Sequence, residues 1–513
     1  MHFPTPTALI SSFLLIPAAL ARHQDLELRN QNHLFNAIHS SVRQWGSSLN
    51  HNGMSFFLAT VPAGTDLYHG TSKSETVTGM EWLAFEPEHA LIFAYAQQGP
   101  SSRDSNGLSK GEKGNVDNIV IGQEAEKRHS QLPLRPQETD EEAKYGYLHT
   151  YSPKRPLHLL YIDGLSAGKT SNGTLDTQDM LLLNLTDSNT PMGRELERAH
   201  GLCNLTATLW QGKVDGILRM EGGFEIILCD FERHVQRINV IPVSAEEPHD
   251  RFADGPEGWA YLKAVTSRYH DIGGDRVMLD YENFVSVFAY PDIDGLFVND
   301  VQSDYAMPRL QNISDSDRLR VKDDVTAMIL HKDWSTEKES RDWQAVADMV
   351  VQRYSKPLRF LYTSKDVRDN KDSLVAYLKV QLRPFIDPTD RNVTLETQRC
   401  VAQVMPSHPS TPQSSASLAH LALYTVANHI CDTLLTALSI TLPPQSHMRN
   451  QAIELIDRLV EYLQWTTWKD CGGCTDEEIC FVPIWPLGTH EDHAYPQCRS
   501  EGQPSTGYWG TGE

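Results

Sequence analysis

The sequence predicts an α+β protein in which a mixed-sheet domain comes first, a mainly α-helical region follows and a disulfide-rich cap closes the chain. Three observations lead to this fold class. Residues 56–96 alternate β-branched and aromatic runs with Pro and Gly breaks, as strands do. Residues 259–382 and 418–468 carry apolar side chains at helical spacing. Four of the eight cysteines lie after residue 470.

The length of 513 residues is too great for one core and predicts two or three domains. Composition changes at residues 244–255 and 405–416, which are rich in Pro and in charged or Ser residues, mark the expected boundaries. The predicted units are a signal peptide at 1–21, an α+β domain at 30–245 with a polar insert at 101–142, a mainly helical domain at 256–405, and a helical hairpin with a Cys-rich tail at 417–513.

The α+β domain is organised around residues 56–96. Its first β-branched and aromatic run resumes after a Pro and Gly break as a second strand at 66–68, and His69-Gly70-Thr71 is predicted where that strand ends. Trp82–Phe85 is predicted as the next strand. Pro87 then occupies a favourable first-turn position of an apolar helix. The unit is therefore strand, His-Gly turn, strand and helix.

This unit, with YHGT at 68–71 and AFEPEHA at 84–90, resembles the ADP-ribosyltransferase superfamily, in particular its diphtheria-toxin-like His/Tyr/Glu group. Residues 145–151 and 156–162 are similar to the paired central strands of that fold. Residues 223–230 and 238–243 are similar to its closing strands. The resemblance covers roughly residues 52–245 and implies an ADP-ribosyltransferase-like mixed sheet.

The resemblance also implies a function and a set of site residues. Glu225 falls on the catalytic glutamate, and His69 on the histidine that binds the adenosine-side ribose. Gly70 and Thr71 would bind NAD beside it, and Phe93 or Tyr95 would stack on the nicotinamide ring. NAD is the implied co-substrate, no metal is implied, and the ribosyl group would pass to a protein target or to water.

Two other motifs give alternatives. Gly164-Leu165-Ser166-Ala167-Gly168 fits the G-x-S-x-G nucleophile elbow of a serine esterase, although Gly and Asn residues interrupt the helix that should follow. The overlapping GLSAGKT at 164–170 has one residue too few between its glycines for a P-loop. A catalytically inactive binding or interaction protein on the same fold is a further alternative.

The N-terminus predicts secretion. An apolar run from Ala8 to Leu20 ends at Ala19-Leu20-Ala21, a small-residue cleavage site. This run is shorter than a membrane span, and no other stretch is expected to be long enough. Acceptor sequons fit a secreted glycoprotein. They begin at Asn172, Asn184, Asn204, Asn312 and Asn392.

The net charge of −22, with no Lys/Arg cluster, argues against nucleic acid as a partner, and stable membrane insertion is not expected. The eight cysteines are expected to form disulfides in an oxidising compartment. Proximity pairs Cys203 with Cys229 and Cys400 with Cys431. The sequence leaves the connectivity of the tail open, and disulfides are favoured there over a zinc site. The tail cysteines are Cys471, Cys474, Cys480 and Cys498.

We expect the mature protein to begin near Arg22 and to contain no free thiol. Thiol titration of the denatured, non-reduced protein should give no reactive cysteine, because all eight cysteines pair. N-terminal sequencing of the secreted chain checks the cleavage site. Two or more reactive thiols per chain would contradict the pairing and would reopen the metal interpretation of the tail.

Overall fold

A computed structural model describes residues 30–95, 145–185, 191–244, 256–268, 271–297, 307–335, 341–405, 416–442, 448–502 and 506–510. The predicted signal peptide at 1–21 and the predicted polar insert at 101–142 lie outside these ranges. Within them the molecule is α+β, as the sequence predicts.

Eleven strands form two sheets in the described part of the chain. They are β1 (Ser55–Val61), β2 (Leu67–Thr71), β3 (Glu81–Ala84), β4 (Tyr145–Pro153), β5 (Leu157–Ile162), β6 (Gly216–Met220), β7 (Phe224–Leu228), β8 (Val235–Ser244), β9 (Met278–Ser286), β10 (Ile479–Phe481) and β11 (Gln497–Arg499).

The helices of the N-terminal half are mostly short, and those of the C-terminal half are longer. They are α1 (Gln31–Ser40), α2 (Gln44–Leu49), α3 (Pro87–Leu91), α4 (Glu195–Ala207), α5 (Phe231–His234), α6 (Pro256–Arg268), α7 (Asp315–His331), α8 (Trp343–Thr363), α9 (Lys365–Asp369), α10 (Lys371–Leu382), α11 (Val393–Ala402), α12 (Leu418–Thr441), α13 (Arg449–Leu463) and α14 (His490–Ala494). Thr177–Leu183 is a π-helical segment.

The first nine strands make one sheet in the order β8-β4-β2-β3-β7-β6-β5-β1-β9. All neighbours are antiparallel except β5 and β6, which run parallel. The expectation that the strands at 145–151 and 156–162 pair with each other is wrong, because β4 pairs with β2 and β8 whereas β5 pairs with β1 and β6. The expected closing strands do form, as β7 and β8.

The sheet also uses a strand from beyond the predicted domain boundary. Strand β9, which falls in the region expected to be mainly helical, pairs with β1 at the sheet edge.

The first described helix contacts the C-terminal part of the chain. Asn32 and Asn36 of α1 donate hydrogen bonds to the carbonyls of Tyr462 and Leu463 at the end of α13. One continuous hydrophobic cluster therefore joins residues from the first described helix to the C-terminal tail.

The helical half follows its sequence pattern closely. The apolar stripe of α8 and the three leucines of α10 are buried, as helical spacing predicts. Helices α12 and α13 pack against each other and confirm the predicted hairpin. Helix α12 is also long and apolar enough to cross a membrane, contrary to the expectation that no such stretch exists, but most of that apolar window is buried against protein. Its hydrophobicity therefore serves the core.

All eight cysteines form disulfides. The pairs Cys203–Cys229 and Cys400–Cys431 confirm the prediction from proximity. In the tail, Cys471 pairs with Cys480 of β10, and Cys474 pairs with Cys498 of β11. Both strands of the small sheet are therefore bonded to the segment that precedes them.

Four of the five sequon asparagines are exposed, and Asn172 is half-buried. The amide nitrogen of Asn172 donates to the carbonyl of Tyr508 at 2.9 Å. A glycan on that nitrogen would have to displace this contact between the sheet domain and the tail.

The tail docks on the sheet domain through two buried histidines. The Nδ1 of His51 contacts Asn52 Oδ1 at 2.5 Å and its Nε2 contacts the Tyr508 hydroxyl at 2.8 Å. His493 Nε2 lies 3.0 Å from the carbonyl of Leu49. Burial lowers the pKa of His51 to about 4 and that of His493 to about 3. Both side chains are therefore neutral at physiological pH.

We expect acid to loosen this docking. A histidine whose pKa falls on folding stabilises the fold fully above its unfolded pKa of about 6.5, and that stabilisation is lost as the pH falls toward the folded value. Between pH 6.5 and 4.5 the His493 contribution amounts to about 2 kcal/mol. Urea unfolding measured across this range should give a steeper pH dependence for the wild type than for His493→Gln. The control His200→Gln, at an exposed position on α4, should keep the wild-type slope.

Candidate functional site

Within the nine-stranded sheet, β2 and β3 share the fewest paired residues. These strands share a single register pair, Tyr68 with Ala84, whereas β2 pairs with β4 over five positions and β3 with β7 over four. A cavity of about 40 Å³ lies at this junction under helix α3. Its lining residues are Tyr68, His69, Gly70, Glu81, Trp82, Leu83, Ala84, His89, Ala90, Phe93 and Glu225.

Four of the six predicted site residues line this cavity. His69 and Gly70 come from β2, Phe93 follows α3, and Glu225 comes from β7. The other two, Thr71 and Tyr95, do not belong to its lining. Thr71 is the buried last residue of β2. The strand therefore includes His69 and Gly70, and the prediction that it ends before His69 is wrong.

The side chains of His69 and Glu225 leave the sheet on opposite faces. The register aligns Tyr68, Ala84, Glu225 and Arg219 across four neighbouring strands, and residues directly opposite in antiparallel strands share a face. His69 follows Tyr68 and so projects to the other face. The expectation that both side chains face one groove is therefore corrected, and they reach the cavity from two sides of the gap between β2 and β3.

His69 is held by protein groups on its own face. Its Nδ1 lies 2.7 Å from the carbonyl oxygen of Trp82, which ties β2 to β3 where their backbones have separated. Its ring packs edge-on against Phe231, with centroids 5.8 Å apart. Burial lowers the pKa of His69 to about 4, so the imidazole is neutral at physiological pH. The structure thus gives His69 a clear role in joining two strands.

Helix α3 covers the other face of the junction at very short range. A Cβ at Gly70 would collide with the carbonyl oxygen of Ala90, so only glycine fits this position of β2. Pro87 starts the helix at its first turn, as predicted. The result is that His89 and Phe93, on successive turns, stand over the sheet beside Glu225.

Glu225 is 3% exposed and belongs to a buried ion cluster. Its Oε1 accepts a hydrogen bond from Arg219 Nε at 2.9 Å, and its Oε2 lies 3.9 Å from His89 Nε2. Burial disfavours the charged carboxylate, but the neighbouring Arg219 guanidinium outweighs it and holds the pKa of Glu225 at about 2. Glu225 is therefore ionised at every physiological pH.

Arg219 is the hub of this cluster. The guanidinium is fully buried and also donates to Glu195 on α4 and, at 2.9 Å, to the Gln178 side-chain oxygen of the π-helical segment. A second buried pair lies beside it, with Lys169 Nζ 2.7 Å from Glu221 Oε1. Five charged side chains from four separate stretches thus converge behind the cavity.

Sequence reasoning assigned no role to Arg219, His89 or Glu221. A signal for Arg219 was present, because GILRM at 216–220 is an otherwise apolar strand, and an arginine in a fully buried strand requires carboxylate partners. His89 stands inside the quoted AFEPEHA motif. Glu221 gave no pattern, since only the turn between β6 and β7 brings it to the cluster.

Glu81 adds a carboxyl group to the cavity wall. Burial raises the pKa of Glu81 to about 7, and its Oε2 has no hydrogen-bond partner among the described residues. Near neutral pH this group is therefore close to half protonated, and it can donate a proton or a hydrogen bond to a molecule in the cavity.

The second predicted motif folds into a different arrangement. Ser166 is fully buried, and its Oγ donates to the Ile162 carbonyl at 2.8 Å, so the hydroxyl is not placed as an accessible nucleophile. Lys169 of the near P-loop stretch belongs to the buried pair with Glu221. Through these contacts, both residues hold the turn after β5 in place.

Comparison with known proteins gives a family match for the stretch of chain that contains the cavity-lining residues. Residues 21–257 match the family described as the YPL277C N-terminal domain. The chain is 35% identical over 221 residues to the uncharacterized protein YPL277C of Saccharomyces cerevisiae, which is 40% of this chain and 42% of that protein. It is also 26% identical to the uncharacterized protein YOR389W of the same yeast over 93% of this chain and 85% of that protein. No solved structure matches the chain.

We expect Arg219→Met to destabilise the fold by about 3–5 kcal/mol, because it leaves Glu195 and Glu225 buried without their shared counter-charge. Chemical denaturation measures the change. Arg391→Met is the matched control, since Arg391 is a third exposed and serves one buried carboxylate, Glu396.

Adding Glu225→Gln to Arg219→Met should recover part of the loss, because one unpaired buried charge disappears. A loss below about 1 kcal/mol for Arg219→Met alone would contradict the view that the cluster depends on this guanidinium.

Proposed function

We propose that the protein is a secreted NAD-dependent enzyme that cleaves the nicotinamide–ribose bond at the β2–β3 cavity, as an ADP-ribosyltransferase or an NAD glycohydrolase. One observation carries the proposal. His69, Gly70, Phe93 and Glu225, which the resemblance selected from two distant stretches of sequence, line a single cavity.

Glu225 is the proposed catalytic residue. Cleavage of the bond passes through an oxocarbenium-like transition state, and a fixed, ionised carboxylate stabilises the positive charge that develops on the ribose. The ion pair with Arg219 keeps Glu225 ionised and fixes its position. Its Oε2, on the side of His89, is the oxygen available to the ribose hydroxyl.

Phe93 and the β2 backbone would hold the nicotinamide. Phe93 is half-buried on the cavity wall, and an aromatic face there can stack on a planar ring. Gly70 also lines the cavity, but the Ala90 carbonyl of α3 already fills the space beside its Cα, so the carboxamide would have to meet another backbone group of β2. The cavity of about 40 Å³ has room for a few water molecules only, so the nicotinamide-ribose half of NAD would enter only if α3 moved away from the β2–β3 junction.

The role of His69 is revised in this proposal. Because its ring is bound to the Trp82 carbonyl and packed on Phe231, His69 positions β2 relative to β3 and so sets the width of the cavity. It is a positioning residue. Nicotinamide leaves as a neutral molecule and needs no proton, whereas water or an acceptor nucleophile must lose one, and Glu81, on the same cavity wall and partly ionised near neutral pH, is the group able to take it.

A binding protein without catalysis is the second candidate. It is favoured by the Arg219–Glu225 pair, since a carboxylate that already accepts a guanidinium hydrogen bond stabilises an oxocarbenium less than a free one does. This protein would hold NAD or a related nucleotide in the cavity and release no nicotinamide.

We expect Glu225→Gln to abolish nicotinamide release from NAD while sparing NAD binding, because the amide keeps the size of the side chain but loses its charge. Nicotinamide is measured by chromatography, and binding by calorimetry, on the purified secreted chain. Glu396→Gln is the matched control, since it also removes one carboxylate of a buried Glu–Arg pair, far from the cavity in sequence. It should release nicotinamide at the wild-type rate.

The two candidates differ in one outcome. Wild-type protein that binds NAD without releasing nicotinamide would establish the binding protein. Wild-type protein that neither binds nor cleaves NAD would refute the proposed function. Phe93→Ala gives an independent check, because loss of the stacking face should raise KM by about tenfold and leave kcat less affected.

A further inference from the structure

A second chemical arrangement lies at the floor of the same cavity. One ligating atom each from His89, Glu221 and Glu225 lies within 4.8 Å of the other two. The three residues come from α3, from the turn after β6 and from β7. All three side chains are at least 96% buried. A cluster with this composition on three different elements requires the tertiary fold, and no local sequence pattern encodes it.

The imidazole of His89 is oriented for a ligand. Its Nδ1 lies 3.1 Å from the Tyr261 hydroxyl, and its Nε2 has no hydrogen-bond partner among the described residues. That Nε2 points toward Glu225 Oε2, 3.9 Å away, which is too long for a hydrogen bond. When Nδ1 donates to Tyr261, the Nε2 lone pair faces the two carboxylates. A partner on the distal nitrogen that fixes the ring in this way is typical of metal-binding histidines.

The formal charges of the cluster do not balance. Three carboxylates, Glu195, Glu221 and Glu225, face two cations, Lys169 and Arg219. Arg198, which pairs with the half-buried Asp179, also lies 3.8 Å from Glu195, so counting both members of that pair leaves one net negative charge among the described residues of the cluster. Buried charge is costly unless it is compensated, so the cluster has room for one further positive group. The unpartnered nitrogen and the unbalanced charge occur at the same place.

We propose that His89, Glu221 and Glu225 bind a divalent cation of the zinc class. One imidazole nitrogen with two carboxylate oxygens is a donor set suited to Zn²⁺, whereas Ca²⁺ takes six to eight oxygens. Zinc binds such donors at about 2.1 Å, so the three atoms must lie within about 4.2 Å of one another. The His89–Glu225 spacing already meets this limit. A small side-chain rotation brings in the third donor.

Three protein ligands leave the fourth tetrahedral position of zinc open. His89 and Glu225 both line the cavity, so the open position faces it. The ion would take the Glu225 oxygen that the proposed NAD chemistry needs. If the protein cleaves NAD at this cavity, bound zinc would therefore inhibit nicotinamide release. This inhibition is the one part of the inference that rests on the proposed function.

Metal titration tests the site directly. The purified, disulfide-intact chain is stripped with a chelator, dialysed and titrated with ZnCl₂ by calorimetry at pH 7.5. We expect one zinc per chain, with affinity at least tenfold weaker in His89→Gln and in Glu221→Gln. His200→Gln, an exposed histidine on α4, is the control for zinc binding by surface imidazoles and should match the wild type.

Tyr261→Phe tests the positioning of the ring. This variant removes the hydroxyl that orients His89 and keeps the aromatic packing, whose ring centroids are 5.9 Å apart. Loss of such a partner weakens metal binding by about 10–100-fold. Unchanged affinity in His89→Gln, or no zinc binding by the wild type, would overturn the site.

The zinc-loaded wild type provides a measurement that does not depend on variants folding. X-ray absorption should show one imidazole and oxygen ligands with no sulfur, and zinc should raise the thermal stability with concentration. Sulfur ligands or two imidazoles would place the ion elsewhere and overturn the proposal. Zinc binding by a chain that releases no nicotinamide even after the metal has been stripped would sustain this site while the proposed function fails.

Discussion

The buried guanidinium of Arg219 is the constraint on which the rest of the N-terminal half depends. It joins Glu195 of helix α4, Gln178 of the π-helical segment and Glu225 of the sheet, so a helical layer and a central strand are bound to one charge. Removing such a group leaves uncompensated charge in a medium that solvates it poorly. The surrounding apolar strands could therefore not close over Glu225 without it. A buried carboxylate at the cavity floor exists because this cation lies behind it.

The sparse pairing between β2 and β3 is a second constraint, and it lies next to the ion cluster. β2 and β3 meet at one register pair, and a small cavity lined by residues of both strands lies there. The His69 contact to the Trp82 carbonyl limits how far the strands separate, and the close approach of α3 to Gly70 seals one face. The rigid ion cluster and the open junction together give what a site needs, which is fixed charge beside a small enclosed space.

The two proposed chemistries would compete for one oxygen. Glu225 Oε2 faces His89 and the cavity, so it can meet a ribose hydroxyl or complete a metal site with Glu221, but it cannot do both at once. The ring of His89 is held by Tyr261 from helix α6. That helix begins at the end of the stretch matched by the YPL277C N-terminal domain family, so the cavity depends on chain from both sides of the predicted boundary.

Much of the fold follows from the sequence by itself. Local patterns predicted the α+β class, the strand and helix of the AFEPEHA unit, the stripe of α8, the α12–α13 hairpin and two disulfides, because each depends on residues close in sequence or on even cysteine pairing. The site was predicted as a set of residues, and four of them do line one cavity. Only the tertiary structure decided the strand order, the recruitment of β9, the opposite faces of His69 and Glu225, and the convergence of Arg219, His89 and Glu221. The physical reason is that strand register and ion pairing depend on contacts between different elements of the chain, tens to hundreds of positions apart, which one sequence does not display.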